Sequence, residues 1–175
     1  SGNYWFTSLT PGVFTVVESQ PAGYLQGITS AGSAGGTVSG DAMTVTLGSG
    51  VDATAYNFAE LGPDTLSGTV YLDANNNATM DAGDTGLAGV TITLSGTDDQ
   101  ANLVNLVTTT DTNGQYSFAN LRPSDASGYT ITETQPVGYD QGSANTGTLE
   151  GVAAGAVLNS DTMNVSMVLW CGAAE

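Results

Sequence analysis

The chain has 175 residues, 40% of them hydrophobic, which is enough for one large or two small packed domains. Seventeen Asp and Glu stand against a single base, Arg122, with no Lys and no His, for a formal net charge of −16. Nucleic acid and anionic membrane are poor partners for such a chain because both require a basic patch. The same balance removes Ser/His and Ser/Lys nucleophile pairs, imidazole metal ligands and Schiff-base lysines. Paired carboxylates of the glycosidase kind remain formally open, but the acids cluster in turns and no enzyme is expected.

Helical periodicity is almost absent, and short alternating runs bounded by Gly, Asn, Asp and Pro recur about every ten residues. The pattern predicts an all-β sandwich. The opening SGNYWF does not read as a signal peptide and no run of 18 apolar residues predicts a membrane span. The chain therefore reads as an interior or processed piece of something longer. YWFTSLTPG from Tyr4 and FTVVESQPAGYLQG from Phe14 are strand and turn blocks, with Trp5 expected in the core by pattern. DAMTV from Asp41 and AYNFAEL from Ala55 complete a first group, residues 1–61, and residues 62–67 form a short linker.

A new unit opens at Gly68 with GTVYL and runs into DANNNATMDAGD, residues 73–84. Counted from Asp73, side-chain oxygens fall at position 3 (Asn75), position 5 (Asn77), position 9 (Asp81) and position 12 (Asp84), with the Thr79 carbonyl at position 7. That is the spacing of a calcium loop, since a large hard cation takes six to eight oxygens and alternate residues of a coiled loop can point at one centre. Ala78 stands where the sharp turn favours Gly, and Asp84 is shorter than the usual bidentate Glu. The competing reading is an Asx-rich turn.

Beyond the loop, GVTITL places Val90, Ile92 and Leu94 toward a core and Thr91 and Thr93 outward. DTNG at residues 111–114 is a hairpin signal, and a turn is its expected role rather than a second cation site at Asp111 and Asn113. QYSF sets Tyr116 and Phe118 on one face, NLRP and SDASG supply turns, and YTITE sets Tyr129 and Ile131 on one face. Glu133, in TETQP, and Glu18, in VESQP, are expected at strand ends, their carboxylates accepting backbone hydrogen bonds. In VLWC, Trp170 is expected in the core. Cys171, the only cysteine, is expected as a small buried apolar residue, and no disulfide forms within the chain.

The chain repeats itself. YWFTSLTPG at residue 4 answers YSFANLRPS at 116, FTVVESQPAGYLQG at 14 answers YTITETQPVGYDQG at 129, and DAMTV at 41 answers DTMNV at 161. The offset is that of one sandwich domain. Residues 1–61 match the C-terminal half of a unit, and residues 68–175 match a second unit up to, but not including, its last strand. The partners expected from this phase are neighbouring repeats or subunits that complete the open edges, by continuation of the chain or by strand complementation.

SGTVYLDANNNATMDAGDTGLAGVTITLSG, followed by TTTDTNGQYSFANL and YTITETQPVGYDQG, resembles the B-type repeat of serine-aspartate-repeat surface proteins, a relative of the collagen-adhesin B domain. The resemblance implies an extracellular, prealbumin-like (Ig-like) antiparallel β-sandwich in tandem, used as a stalk or fibre and stiffened by Ca2+. The family's calcium loop falls on Asp73, Asn75, Asn77, Asp81 and Asp84. Some B-type relatives join a Lys to an Asn or Asp by an isopeptide bond promoted by an acid, and Glu18 and Glu133 stand where that acid is expected. With no Lys in the chain, that cross-link cannot form. The second functional reading is an adhesive module for a glycan or protein ligand.

Overall fold

The computed structural model describes residues 2–149 and 152–167. Trp170 and Cys171 lie outside the described residues. The chain divides between Pro63 and Asp64 into two compact units, Ser1–Pro63 and Asp64–Glu175, and the described residues contain strands and turns but no helix.

In the first unit, β1 (Gly12–Val17), β2 (Leu25–Gln26), β3 (Thr37–Ser39), β4 (Ala42–Leu47) and β5 (Glu60–Leu61) carry the order β1-β4-β3, with β2 paired to β5. Both pairings of β4 are antiparallel, with Phe14 opposite Val45 and Val38 opposite Met43. The period of two decides the faces: Met43 and Val45 are buried, while Val13 and Val17 of β1 are exposed. Residues 54–61 lie along residues 25–33, through Gly27 N–H to Ala59 O at 2.9 Å, a two-way exchange between Ser30 and Asn57, and Ser33 N–H to Thr54 O at 2.8 Å.

The YWF block departs from expectation. Residues 4–6 form no strand and Trp5 is 77% exposed rather than in the core. Tyr4 instead meets Phe6 edge-on and Phe58 at a tilt, and donates its hydroxyl to Tyr56 O at 2.5 Å. A strand needs a neighbour to accept its backbone hydrogen bonds, and nothing among the described residues pairs with residues 4–6.

In the second unit, β6 (Asp64–Thr69), β7 (Tyr71–Leu72), β8 (Thr85–Gly86), β9 (Thr91–Thr97), β10 (Leu103–Thr109), β11 (Gln115–Leu121), β12 (Tyr129–Glu133), β13 (Thr148–Leu149), β14 (Val152–Ala153), β15 (Ala156–Asn159) and β16 (Thr162–Val165) follow. A five-stranded antiparallel sheet has the order β10-β9-β12-β16-β15, and the pair β6–β11 forms a second sheet. Strand β6 begins at Asp64, so the linker is shorter than the expected 62–67: Thr65, Leu66 and Ser67 are strand residues, and Leu66 is buried opposite Phe118.

The alternation read in GVTITL, QYSF and YTITE is the alternation of the core. Val90, Ile92, Leu94, Tyr116, Phe118, Leu121, Tyr129 and Ile131 are buried together with Leu66 and Met167, which makes the all-β sandwich the fold of this unit. Thr91 and Thr93 are half-buried rather than outward and free, because β9 has a strand on each side. The DTNG turn forms, with Asp111 Oδ1 accepting the N–H groups of Asn113 and Gln115 at 2.8 and 2.9 Å. It is not the tip of a paired hairpin: β10 pairs with β9 and β11 with β6, so the turn carries the chain from one sheet to the other. Near its end β11 bulges between Phe118 and Leu121, where Asn120 takes a φ of 58°. Ser8, its counterpart in the repeat, takes a φ of 60°.

Candidate metal centre

The loop of residues 73–84 hangs between β7 and β8, two short strands paired with each other. Asp73 organises its first half, Oδ1 accepting the Asn77 N–H at 3.1 Å and Oδ2 the Ala78 N–H at 2.7 Å. Asn75 Oδ1 accepts the Asn77 N–H at 3.1 Å and Asn77 Oδ1 the Thr79 N–H at 2.8 Å. These are Asx turns in succession, which coil the chain and bring alternate side chains to one side. The amide groups of Asn75 and Asn77 both donate to the Asp81 carboxylate, at 3.3 and 2.7 Å. Position 6 does require a left-handed residue: Ala78 has a φ of 61°, which costs a non-glycine residue about 1–2 kcal/mol.

Asp73, Asn75, Asn77 and Asp81 therefore form one hydrogen-bonded group. Asp84 does something else. Its Oδ1 accepts the Ala74 N–H at 3.0 Å and its Oδ2 the Asp81 N–H at 2.9 Å, so its carboxylate ties the start of the loop to its end. Thr79 enters through its N–H on Asn77. Asn145, far along the chain, donates to the Ala78 carbonyl at 2.5 Å and pins the loop from outside. No local pattern in the sequence announces that contact.

The donor set is all oxygen, which fits a hard cation, and a carboxylate oxygen that accepts one N–H keeps a second lone pair. Among the described residues no three His, Cys, Asp or Glu side chains gather as a metal cluster by themselves, so a cation at this loop would need the asparagines as ligands alongside the acids. The charge of the loop is felt next door. The Tyr71 hydroxyl is pushed up first by burial and then by Asp73, Asp84 and Asp81.

The SdrD B-like domain matches residues 64–171, nearly all of the second unit. The chain belongs to the SdrD B-like domain family. It is 33% identical over 150 residues to serine-aspartate repeat-containing protein F of Staphylococcus epidermidis (strain ATCC 12228 / FDA PCI 1200), covering 84% of this chain and 9% of that protein. It is also 33% identical over 155 residues to serine-aspartate repeat-containing protein C of Staphylococcus aureus (strain N315), covering 83% of this chain and 15% of that protein. The chain thus spans a small part of the relatives it matches. No solved structure matches it.

The two glutamates of the Gln-Pro turns, one in each unit, meet other acids. Glu133 N–H donates to Asp161 O at 2.8 Å, and the Glu133 carboxyl is pushed up by burial and then by Asp161. In the first unit Glu18 is pushed up by burial, then by Glu60 and Asp41. Glu18 Oε2, Asp41 Oδ1 and Glu60 Oε1 are buried without a hydrogen-bond partner, which corrects the expectation that Glu18 satisfies its carboxylate on backbone N–H groups: the strand end supplies the Glu18 N–H to Asp41 O and leaves the carboxyl among acids. Asp98 is the opposite case. Burial alone would raise it, but the N–H groups of Asn102 and Gln100, the Asn102 side chain and Arg122 together hold it below the ordinary value. The lone base, Arg122, forms an ion pair with Asp99 at 2.7 Å.

These directions fix a pH dependence. A carboxyl raised in the folded state stabilises below its unfolded value and loses that contribution as pH rises through its folded value. For Glu133, Glu18 and Asp64, all raised, the loss runs upward from about pH 4. Asp98, lowered, stabilises above its unfolded value and loses its contribution as pH falls below about 4. Thermal melts are therefore expected to show a higher Tm at pH 5 than at pH 7, with a decline by pH 3. Relief of self-repulsion in so acidic a chain has the same sign over the upper window. In Glu133→Gln the gain between pH 7 and 5 shrinks. A Tm that falls steadily from pH 7 to pH 5 contradicts the assignment.

Proposed function

We propose that this chain is a structural repeat module of a secreted surface protein or extracellular filament, a stalk or fibre element whose second unit is stiffened by calcium at residues 73–84. Its place is extracellular, at a cell surface or in a filament. The observation that carries the reading is the loop itself, where Asp73, Asn75, Asn77 and Asp81 converge in a domain of the SdrD B-like family. Asp73, Asn75, Asn77, Asp81, Asp84 and the Thr79 carbonyl would hold the ion, and the ion supplies positive charge that offsets their repulsion. A loop fixed to one centre loses the freedom of a long surface turn, which is the property a stalk element requires.

Calcium that binds the folded state alone stabilises by mass action, about 2.7 kcal/mol at a hundred times its Kd. The chain stripped of metal is expected to melt several degrees higher with calcium restored than in chelator. Asp81→Ala is the variant of choice, because Asp81 accepts only the side-chain amides of Asn75 and Asn77 and its carboxylate holds no backbone N–H. That variant keeps the Tm of the metal-free chain and loses the calcium response. Equal melting temperatures in calcium and in chelator refute the proposal.

The exposed aromatics of residues 4–6 favour a second reading, an adhesive module for a glycan or protein. Trp5 fluorescence titrated with a glycan panel tests it, and a Trp5→Ala variant with undiminished binding removes it.

A further inference from the structure

The two units treat one stretch of the repeat differently. In the first unit, residues 25–33 are covered by residues 54–61, and two glycines make the approach possible: a Cβ on Gly27 would lie 2.4 Å from Ala59 O, and one on Gly32 would lie 1.9 Å from Thr54 O. Both distances are shorter than any Cβ contact tolerates, so glycine is required there only because a strand lies against it. The repeat places Gly27 on Gly142 and Gly32 on Gly147, at the same offset of 115. Among the described residues of the second unit these two glycines have nothing within 4 Å. Neither has the left-handed backbone that would call for glycine by itself.

The rest of that edge matches. Residues 140–146 make no main-chain hydrogen bond among the described residues, whereas their counterparts in the first unit bond to residues 57–61. Beside them lies a groove of about 850 Å³ lined by apolar side chains of both sheets, among them Leu66, Val70, Ile131, Met163 and Val165, with Glu133 and Asp161 also on its wall. The groove is bordered by main chain that is unpaired among the described residues, the form of a seat for an extended peptide.

We propose that residues 140–148 and this groove take an added antiparallel strand, and that the strand is the closing segment of a repeat of this same kind, of the sequence AYNFAEL seen at residues 55–61. The commitment to that occupant rests on the first unit, where this sequence already fills the corresponding place. Gly142 and Gly147 are kept open for its carbonyls, as Gly27 and Gly32 are in the first unit. Main-chain hydrogen bonds supply the affinity, and the alternate side chains, entering the apolar groove, set the register. The proposal stands apart from the cation reading and does not depend on it.

The test uses the whole chain and a fluorescent peptide of residues 53–62, ATAYNFAELG, followed by anisotropy. Saturable binding is expected, with new amide protection confined to residues 140–148, and a scrambled peptide of the same composition should bind at least tenfold more weakly. Gly142→Val and Gly147→Val have room for the new side chain in the free chain, so both should keep the parent melting temperature while weakening the peptide at least tenfold. No saturable binding, equal binding of the scrambled peptide, or equal binding by both folded variants overturns the proposal.

Discussion

Leu94→Ala is expected to destabilise the second unit by about 3–5 kcal/mol, the upper range for removing a buried leucine. Leu94 has no exposed surface and sits in the middle of β9, opposite Leu106 of β10 on one side and Ile131 of β12 on the other. It belongs to the cluster that includes Tyr116, Phe118 and Tyr129. Strands on both sides hold the backbone of β9 in place, so the wall cannot collapse into the space and the cavity remains. Urea denaturation is expected to show a lower midpoint with an unchanged slope. Leu94→Met, which keeps most of the volume, is expected to cost less than about 1.5 kcal/mol. A loss below about 1 kcal/mol in the alanine variant would contradict the packing described.

Gly114→Ala should cost about 3 kcal/mol or more, and for two separable reasons. Gly114 closes the DTNG turn with a φ of 77°, a conformation that costs an alanine about 1–2 kcal/mol. Its Cβ would also stand 2.1 Å from Val70 O and 2.8 Å from the Gly86 Cα. The Val70 N–H donates to Gly114 O at 2.8 Å, so the turn cannot back away without giving up that bond. Forcing atoms into such a place adds about 1–3 kcal/mol. Gly138→Ala separates the two terms, because Gly138 has a φ of 91° but nothing within 4 Å; it should show the conformational cost alone. Equal losses in the two variants, read from urea midpoints, would mean that the contact with Val70 contributes nothing.

The core of the second unit could be read from the sequence because a strand buried on one face announces itself locally. Val90, Ile92 and Leu94, or Tyr129 and Ile131, alternate with residues of another character, and the period of two needs no knowledge of the partner. The YWF block shows where that reasoning stops. Tyr116, Phe118 and Leu121 are buried because Leu66 and Gly68 of β6 lie opposite β11, whereas Tyr4, Phe6 and Leu9, the same residue types at the same spacing, are exposed. Burial there is decided by a strand distant in sequence, and no local pattern carries it.

The loop divides in the same way. Asx spacing marked Asp73, Asn75, Asn77 and Asp81 as one group, since the side chains of the first three accept backbone N–H groups two to five residues away and Asp81 accepts the amides of Asn75 and Asn77. The turn of Asp84 back to Ala74 N–H was not legible, because a carboxylate at position 12 has the same spacing whether it faces an ion or ties the ends of the loop together. Asn145 on Ala78 and the acids around Glu18 are contacts between distant segments, and residue type alone does not select them.

The bulge at the end of β11 has a consequence for how the second unit assembles. Ser8 takes the same left-handed φ as Asn120 although residues 4–6 have no strand beside them. The bend therefore belongs to the short sequence around it and does not wait for pairing. In a chain that is still finding its shape, a kink already present at Asn120 marks where the ladder with β6 must break. A slip of one residue along that ladder would turn Tyr116 and Phe118 out of the core. The kink fixes the count before the long-range contact is made, in the manner of a notch that lets a ruler be laid down in only one position.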